Sequence, residues 1–377
     1  MSKTIGYISN VNPFEDRKHW SGLTYKIREA IENAGFKVKF IPYRTDTFSQ
    51  RWMNRLLAFV GKITQKHIIG GDQFPLIAKL AAKTIDFKDI DGCDYLFFPN
   101  NGHIALHLNT TVPKIEYSGA TVPIMLNYYW FNVLQASRRI SIAQDRKTTL
   151  DAFINIKASD WAANSVINDY GFPKNRTFVL EYGPAIDTHD ITPIESYKSG
   201  PFNILFSGVE WERKNGDIAI QTVQLLREKN IDAHIYIAGI RNLPEYCKSL
   251  SYVHYVGFLN KNTKDGYQKY LNLFHTCHIM LVPTKAECAG VVFCEASAFG
   301  MPSYTYRTGG IPNYVVDGIN GRTIELSTGA ERFAQIIYDD IINHRMEELR
   351  NGALRISKEK LSWEAWSRHF RTIIDKI

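Results

Sequence analysis

Glu287-Cys-Ala-Gly-Val-Val-Phe-Cys-Glu295 sets two carboxylates seven residues apart, after an apolar run and before Ala296-Ser-Ala-Phe-Gly-Met-Pro302. Read as strand, loop and helix, the segment puts the backbone N–H groups of Gly290, Val291 and Val292 at a helix start. Unpaired donors and the helix dipole suit a phosphate there. Gly290 leaves room for close backbone approach. Glu287 then lies in the loop beside the ligand, and Glu295, about one turn into the helix, is placed to accept hydrogen bonds from vicinal hydroxyls such as those of a ribose. Two surface carboxylates near a helix start are the plainer alternative.

A second anion site is suggested by Phe206-Ser-Gly-Val-Glu-Trp-Glu-Arg-Lys-Asn-Gly-Asp217. Arg213 offers a planar fork and Lys214 a point charge for neighbouring phosphate oxygens, while Gly208 and Gly216 leave the backbone room. Alone, an Arg-Lys pair reads as a solvated turn. Here it stands at the C-terminal end of a strand, where open α/β sheets bind ligands, in the same half of the chain as the carboxylate pair. His103 and His107 are four apart, but no third ligand with suitable spacing accompanies them, so no metal is expected. His103, just after an apolar strand, is a candidate to enter a cleft.

The elements that must position these residues read as α/β throughout. Apolar strands are expected at 4–8, 36–41, 95–98, 113–117, 160–163 and 177–180, with a helix ending at Gly35 between the first two. After a polar stretch, 186–201, that reads as an exposed linker, strands recur at 203–207, 234–238, 278–282 and 302–305, with a helix at 217–228. Trp363, Trp366, Phe370 and Ile373 recur at helical spacing in the tail. A chain of 377 residues is too long for one core. Three segments follow: residues 1–187, 188–355 and a terminal helix within 356–377.

Lys and Arg number 45 against 38 Asp and Glu, a net charge of +7. That mild excess fits an anionic small molecule or membrane and falls short of the basic stripe of a nucleic-acid binder. Five cysteines, an odd number without a CxxC pair, indicate neither a disulfide framework nor a zinc ribbon and fit a reducing, cytoplasmic compartment. The first residues lack a signal-peptide apolar region, and no apolar run of ~18 residues is present. Arg51-Trp-Met-Asn-Arg-Leu-Leu-Ala-Phe-Val-Gly-Lys-Ile63 mixes bases and apolar residues without an acid, the chemistry of a helix lying on an anionic bilayer. A core helix beneath a long loop is the competing reading.

Gly208 with Arg213-Lys214, the Glu287/Glu295 pair, and Thr308-Gly-Gly-Ile-Pro-Asn-Tyr-Val-Val-Asp-Gly-Ile-Asn-Gly321 together resemble the family 4 retaining glycosyltransferases of the GT-B fold. The resemblance extends to the first half: Trp20-Ser-Gly-Leu-Thr-Tyr25 resembles that family's glycine loop, and Ala158-Ser-Asp-Trp-Ala-Ala-Asn-Ser165 its late N-domain strand. It implies two Rossmann-like domains facing across a cleft, with the C-terminal helix crossing back to the N-terminal domain. A nucleotide-sugar donor would be held by the second domain and a hydroxyl acceptor, such as a glycan or lipid-linked sugar, by the first. Arg213 and Lys214 would bind the diphosphate, Glu287 the donor-sugar hydroxyls, Gly290, Val291 and Val292 would present amides, Glu295 would bind the ribose, and Phe258 would lie near the base. Gly22, His103 and Gly119 would line the acceptor side. Neither a metal nor another cofactor is implied.

One position departs from the resemblance. In Pro113-Lys-Ile-Glu-Tyr-Ser-Gly-Ala-Thr-Val122, many relatives carry an aspartate where this chain has Gly119. Either another group activates the acceptor, or transfer is altered or impaired. The same frame also serves nucleotide-sugar epimerases and sugar phosphorylases, and a nucleotide-sugar-binding protein that has lost transfer is the non-enzymatic alternative.

Overall fold

The computed structural model of the protein describes residues 2–194 and 200–377. The chain forms two compact units, residues 1–181 with 366–377, and residues 182–365.

The first unit is built on six parallel strands, β1 (Thr4–Ser9), β2 (Lys37–Pro42), β3 (Tyr95–Pro99), β4 (Lys114–Ser118), β5 (Ile154–Lys157) and β6 (Thr177–Val179), in the order β2-β1-β3-β4-β5-β6. Its central strands β3, β4 and β5 are buried along their whole length, as strands covered on both faces must be. The helix Leu23–Asn33 covers the sheet with Leu23, Ile27, Ala30 and Ile31. The expected strand at 160–163 is instead the start of a helix, Asp160–Asn168. Ser159 caps it by accepting from the Ala162 amide at 3.3 Å, and Asp160 sits in the first turn, where the dipole favours an acid. The true strand, β5, lies six residues earlier and ends on a lysine.

The terminal helix is Trp363–Asp375, and from Trp366 onward it belongs to the first unit. Trp366 Nε1 donates to Tyr117 Oη at 3.0 Å, Ser367 Oγ donates to the Ala30 carbonyl at 2.8 Å, and Phe370 meets Phe36 and Phe97 edge-on. The tail therefore completes the first domain's core, as the family resemblance implies.

The second unit has six parallel strands, β7 (Phe202–Ser207), β8 (Ala233–Ala238), β9 (Val253–Gly257), β10 (Ile279–Leu281), β11 (Ser303–Tyr306) and β12 (Gly321–Ile324), in the order β12-β11-β10-β7-β8-β9. Alternate residues of β7 face opposite sides: Ile204 and Phe206 enter one apolar cluster, Leu205 the other. From β7 the chain winds outward through β8 and β9, then returns to β10 and winds the other way. That reversal puts a topological switch point between β7 and β10, and the loops leaving those two strands border the crevice where such sheets take ligands. In the first unit the corresponding reversal lies between β1 and β3.

The polar stretch after 186 is not simply exposed. Ile186 is fully buried in the second unit, the Asp187 amide donates to Tyr267 Oη at 3.1 Å, and that hydroxyl donates to Asp190 at 2.8 Å. One buried isoleucine and a tyrosine bridge tie down a segment whose composition reads as linker. Residues 195–199 of that stretch lie outside the described residues.

Candidate functional site

The loops leaving β7 and β10 meet through the residues singled out in the sequence. Lys214 ends a short helix, Trp211–Lys214, and is only 6% exposed. Its stem folds back over Gly208, where a Cβ would come within 2.9 Å of Lys214 Cγ, so the glycine makes this approach possible. Lys214 Nζ donates to Glu287 Oε2. Arg213 Nη1 donates to the Ala286 carbonyl at 2.9 Å and lies 3.5 Å from the same Glu287 oxygen, while Nη2 donates to Glu210 at 3.1 Å. That bond holds the Glu210 carboxyl below its ordinary value. Backbone bonds lock the loops together: the Lys285 amide donates to the Arg213 carbonyl at 2.9 Å, and the Gly310 amide to the Glu287 carbonyl at 3.0 Å. Two cations thus converge at the switch point on the Glu287 carboxylate, with Glu210 holding the far side of Arg213, an arrangement suited to exchanging Glu287 for a phosphate.

Beyond Glu287, the helix Val291–Ala298 opens at Gly290 without a capping side chain. The amides of Phe293 and Cys294 donate to the Gly290 carbonyl, and those of Val291 and Val292 form the helix start itself. What the missing Cβ at Gly290 accommodates is the buried Phe293 ring, whose Cδ2 would otherwise lie 2.4 Å away. The Cys288 thiol is pushed up to about 12 by burial and the neighbouring Glu287 charge, so it stays protonated and is no nucleophile.

Glu295 is 2% exposed, and both its oxygens have partners. Tyr270 Oη donates to one at 2.6 Å, and Lys261 Nζ to the other at 3.3 Å while lying over the Tyr270 ring. Burial, then the Glu295 charge, raises the Tyr270 phenol well above its ordinary value, keeping it a donor. Tyr270 Oη also lies 3.4 Å from Ser207 Oγ at the end of β7, joining Glu295 to the strand that positions Lys214. Phe258, just past β9, stays apart from this network; its half-exposed ring carries the Arg241 guanidinium 4.0 Å from its centroid. Tyr270, Lys261 and Glu210 were not legible in the sequence. Tyr270 sits on the buried face of the helix Lys264–Thr276, where a tyrosine reads as packing.

Gly22, His103 and Gly119 belong to the first unit, on turns that follow β1, β3 and β4. Gly22 has φ +87 and begins the helix Leu23–Asn33, a conformation that favours glycine. His103 lies in a tight turn, Gly102–His107, with Nε2 3.8 Å from Asp145 and Nδ1 buried without a partner among the described residues. Asp145 itself accepts from the Val122 amide at 2.7 Å and Tyr170 Oη at 2.6 Å. Beside Gly119 stands a cluster the sequence did not reveal: Lys157 Nζ donates to Glu116 at 2.8 Å and to Ser118 Oγ at 2.7 Å. Among the described residues, Asp187, His189 and Asp190 bring possible metal-ligand atoms within 4.8 Å of one another. His189 is exposed and Asp190 already accepts from Tyr267, so the group carries no assignment.

Residues 201–340 match the family described as glycosyl transferases group 1. That match lies within the second unit and accords with the family 4 resemblance. An uncharacterized glycosyltransferase of Methanocaldococcus jannaschii is 25% identical over 208 residues, 54% of this chain and 55% of that protein. The chain thus spans about half the length of this curated relative. Among solved structures, sucrose-phosphate synthase from Thermosynechococcus elongatus superposes with a TM-score of 0.69 at 15% identity, covering 99% of this chain and 98% of the other. Anabaena HepE in complex with UDP-glucose gives 0.63 at 13% identity, covering 99% and 100%. At these identities the likeness establishes the fold alone: two Rossmann-like domains of the GT-B class.

Proposed function

We propose that the chain is a retaining glycosyltransferase that moves a sugar from a nucleotide diphosphate donor to a hydroxyl acceptor. The observation that carries this is the meeting of Arg213, Lys214 and Glu287 at the switch point of the second sheet. When the sugar–phosphate bond breaks, negative charge grows on the diphosphate. Lys214 exchanges Glu287 for that charge, Arg213 supplies a second cation, and the amides at Gly290 to Val292 add a helix start. Glu287, released from Lys214, accepts from donor-sugar hydroxyls. Glu295 binds the ribose once Lys261 gives up its oxygen, with Tyr270 fixing the carboxylate. Phe258 flanks the base. A glycosidase-style double displacement needs two carboxyl groups flanking the reacting bond, and Glu295, buried against Tyr270, does not suit that role. Attack on the same face, with the departing phosphate taking the acceptor proton, fits the residues better.

The acceptor, a glycan or lipid-linked sugar, belongs with Gly22, His103 and Gly119 of the first domain. Five free cysteines accord with a reducing cytoplasm, and no helix among the described residues is long and apolar enough to cross a membrane. HepE was solved with UDP-glucose, which makes uridine diphosphate sugars the first donors to try. Calorimetry with a nucleotide-sugar panel in chelator, followed by product mass with acceptor, tests the reading. One donor should bind, and transfer should persist without divalent metal, because Arg213 and Lys214 take the metal's part. Failure of every donor to bind, or complete metal-rescued loss of transfer, would contradict the mechanism.

Gly119 favours a second reading, donor binding with impaired transfer. On that reading Gly119→Asp raises transfer to a competent acceptor and leaves donor affinity unchanged, since the new carboxylate is in the other domain from Arg213 and Lys214. If the glycine instead makes room for a bulky acceptor, the substitution lowers the transfer of an already active wild type.

A further inference from the structure

The helix Phe48–Thr64 begins with a capping box: the Thr47 hydroxyl accepts from the Gln50 amide, and the Gln50 side chain accepts from the Thr47 amide. Gln50 is buried, and Met53, Leu57 and Val60 are half-buried on the same inward side. The helix is therefore well seated on its domain. Its other side is apolar too. Phe48, Trp52, Leu56, Phe59 and Ile63 are 77%, 55%, 40%, 58% and 65% exposed. At about 100° per residue these five fall within an arc of about 80°. The core-helix reading accounts for the inner face and leaves this stripe without a purpose.

Arg51, Arg55 and Lys62 run along one edge of the stripe, exposed, and none is in a salt bridge among the described residues. The helix contains no acid. Past its end, the apolar surface continues: Phe131 is 62% exposed on a turn held to the helix terminus, where Lys66 Nζ donates to Asn132 Oδ1 at 2.6 Å and Asn132 Nδ2 donates to the Gln65 carbonyl at 2.9 Å.

We propose that this face docks on an anionic bilayer surface, with the aromatic and aliphatic side chains entering the headgroup boundary and the bases meeting lipid phosphates. Charge selects this occupant over a second copy of the chain. In a two-fold pair the patch meets itself, which would bring Arg51, Arg55 and Lys62 toward their own copies with no acid on the helix to answer them. The docking goes beyond the transferase reading and stands on the helix alone.

Flotation of the full chain with vesicles of phosphatidylcholine, with and without phosphatidylglycerol, tests it. Binding should require the anionic lipid and fall as salt rises. Trp52→Ser with Phe59→Ser should lower the partition coefficient by at least about tenfold, as expected for withdrawing two buried aromatic side chains. Arg51→Glu with Arg55→Glu should abolish the preference for anionic vesicles. All four side chains are exposed, so the melting temperature and donor affinity should stay at wild-type values, separating loss of docking from misfolding and from failure of the donor site. Equal binding by wild type and both double variants would overturn the proposal. So would absence of vesicle binding in a chain that light scattering shows to be a dimer dispersed by Trp52→Ser with Phe59→Ser.

Discussion

Lys214→Met is expected to lower transfer by about 100-fold, the scale set by losing one preorganised donor to a developing anion. Methionine is the informative replacement because it keeps an unbranched stem over Gly208 and removes only the charge. Glu287 is not stranded in this variant, since Arg213 remains 3.5 Å from its Oε2, so the fold should melt close to wild type. Arg213→Ala should show a loss of similar size. Because the diphosphate gains charge as the bond breaks, kcat should fall more than donor affinity. Steady-state release of nucleoside diphosphate, with the donor chosen by calorimetry, supplies both numbers. Full activity in both variants would remove the diphosphate site, and a loss confined to KM would mean the cations hold the ground state only.

How much of this was readable beforehand depends on the range over which each residue's partners lie. Arg213-Lys214 and Glu287 to Glu295 announce themselves because each stands at a strand-to-helix turn, where local sequence fixes both backbone direction and the exposure of helix-start donors. Their meeting is a property of sheet order: only the adjacency of β7 and β10 brings together residues 73 apart. Gly290 shows the opposite limit. Its spacing suggested ligand approach, yet the Phe293 ring three residues on occupies the space. The segment 160–163 misled for a related reason, since Trp161-Ala-Ala is as apolar as a strand and only the Ser159 cap marks it as a helix start. Tyr270 and Lys261 had no local signature, because what distinguishes them is contact with Glu295 from a different helix.

Lys157 is the sharpest case of a residue hidden from sequence, and its loss should be costly. It ends β5 directly opposite Ser118 on β4, and the two-residue period of β4 puts Glu116 on the same face. The lysine is 1% exposed, and its amine joins Glu116 Oε1 and Ser118 Oγ. The other Glu116 oxygen is buried without a partner among the described residues. Lys157→Met therefore leaves a carboxylate in the interior with no cation, a change worth about 3–5 kcal/mol. For a domain of this size that corresponds to a fall in melting temperature on the order of 10 °C. Adding Glu116→Gln to Lys157→Met removes the stranded charge and should restore most of the loss, because a neutral amide with an unmade hydrogen bond costs only about 1–3 kcal/mol. Thermal melting of the single and double variants gives the comparison, and calorimetric donor affinity should be unaffected in both because the donor residues fold in the other domain. A single variant melting like wild type would show that the Lys157–Glu116 pair contributes no net stability, and a double variant no better than the single would assign Lys157's contribution to packing rather than charge.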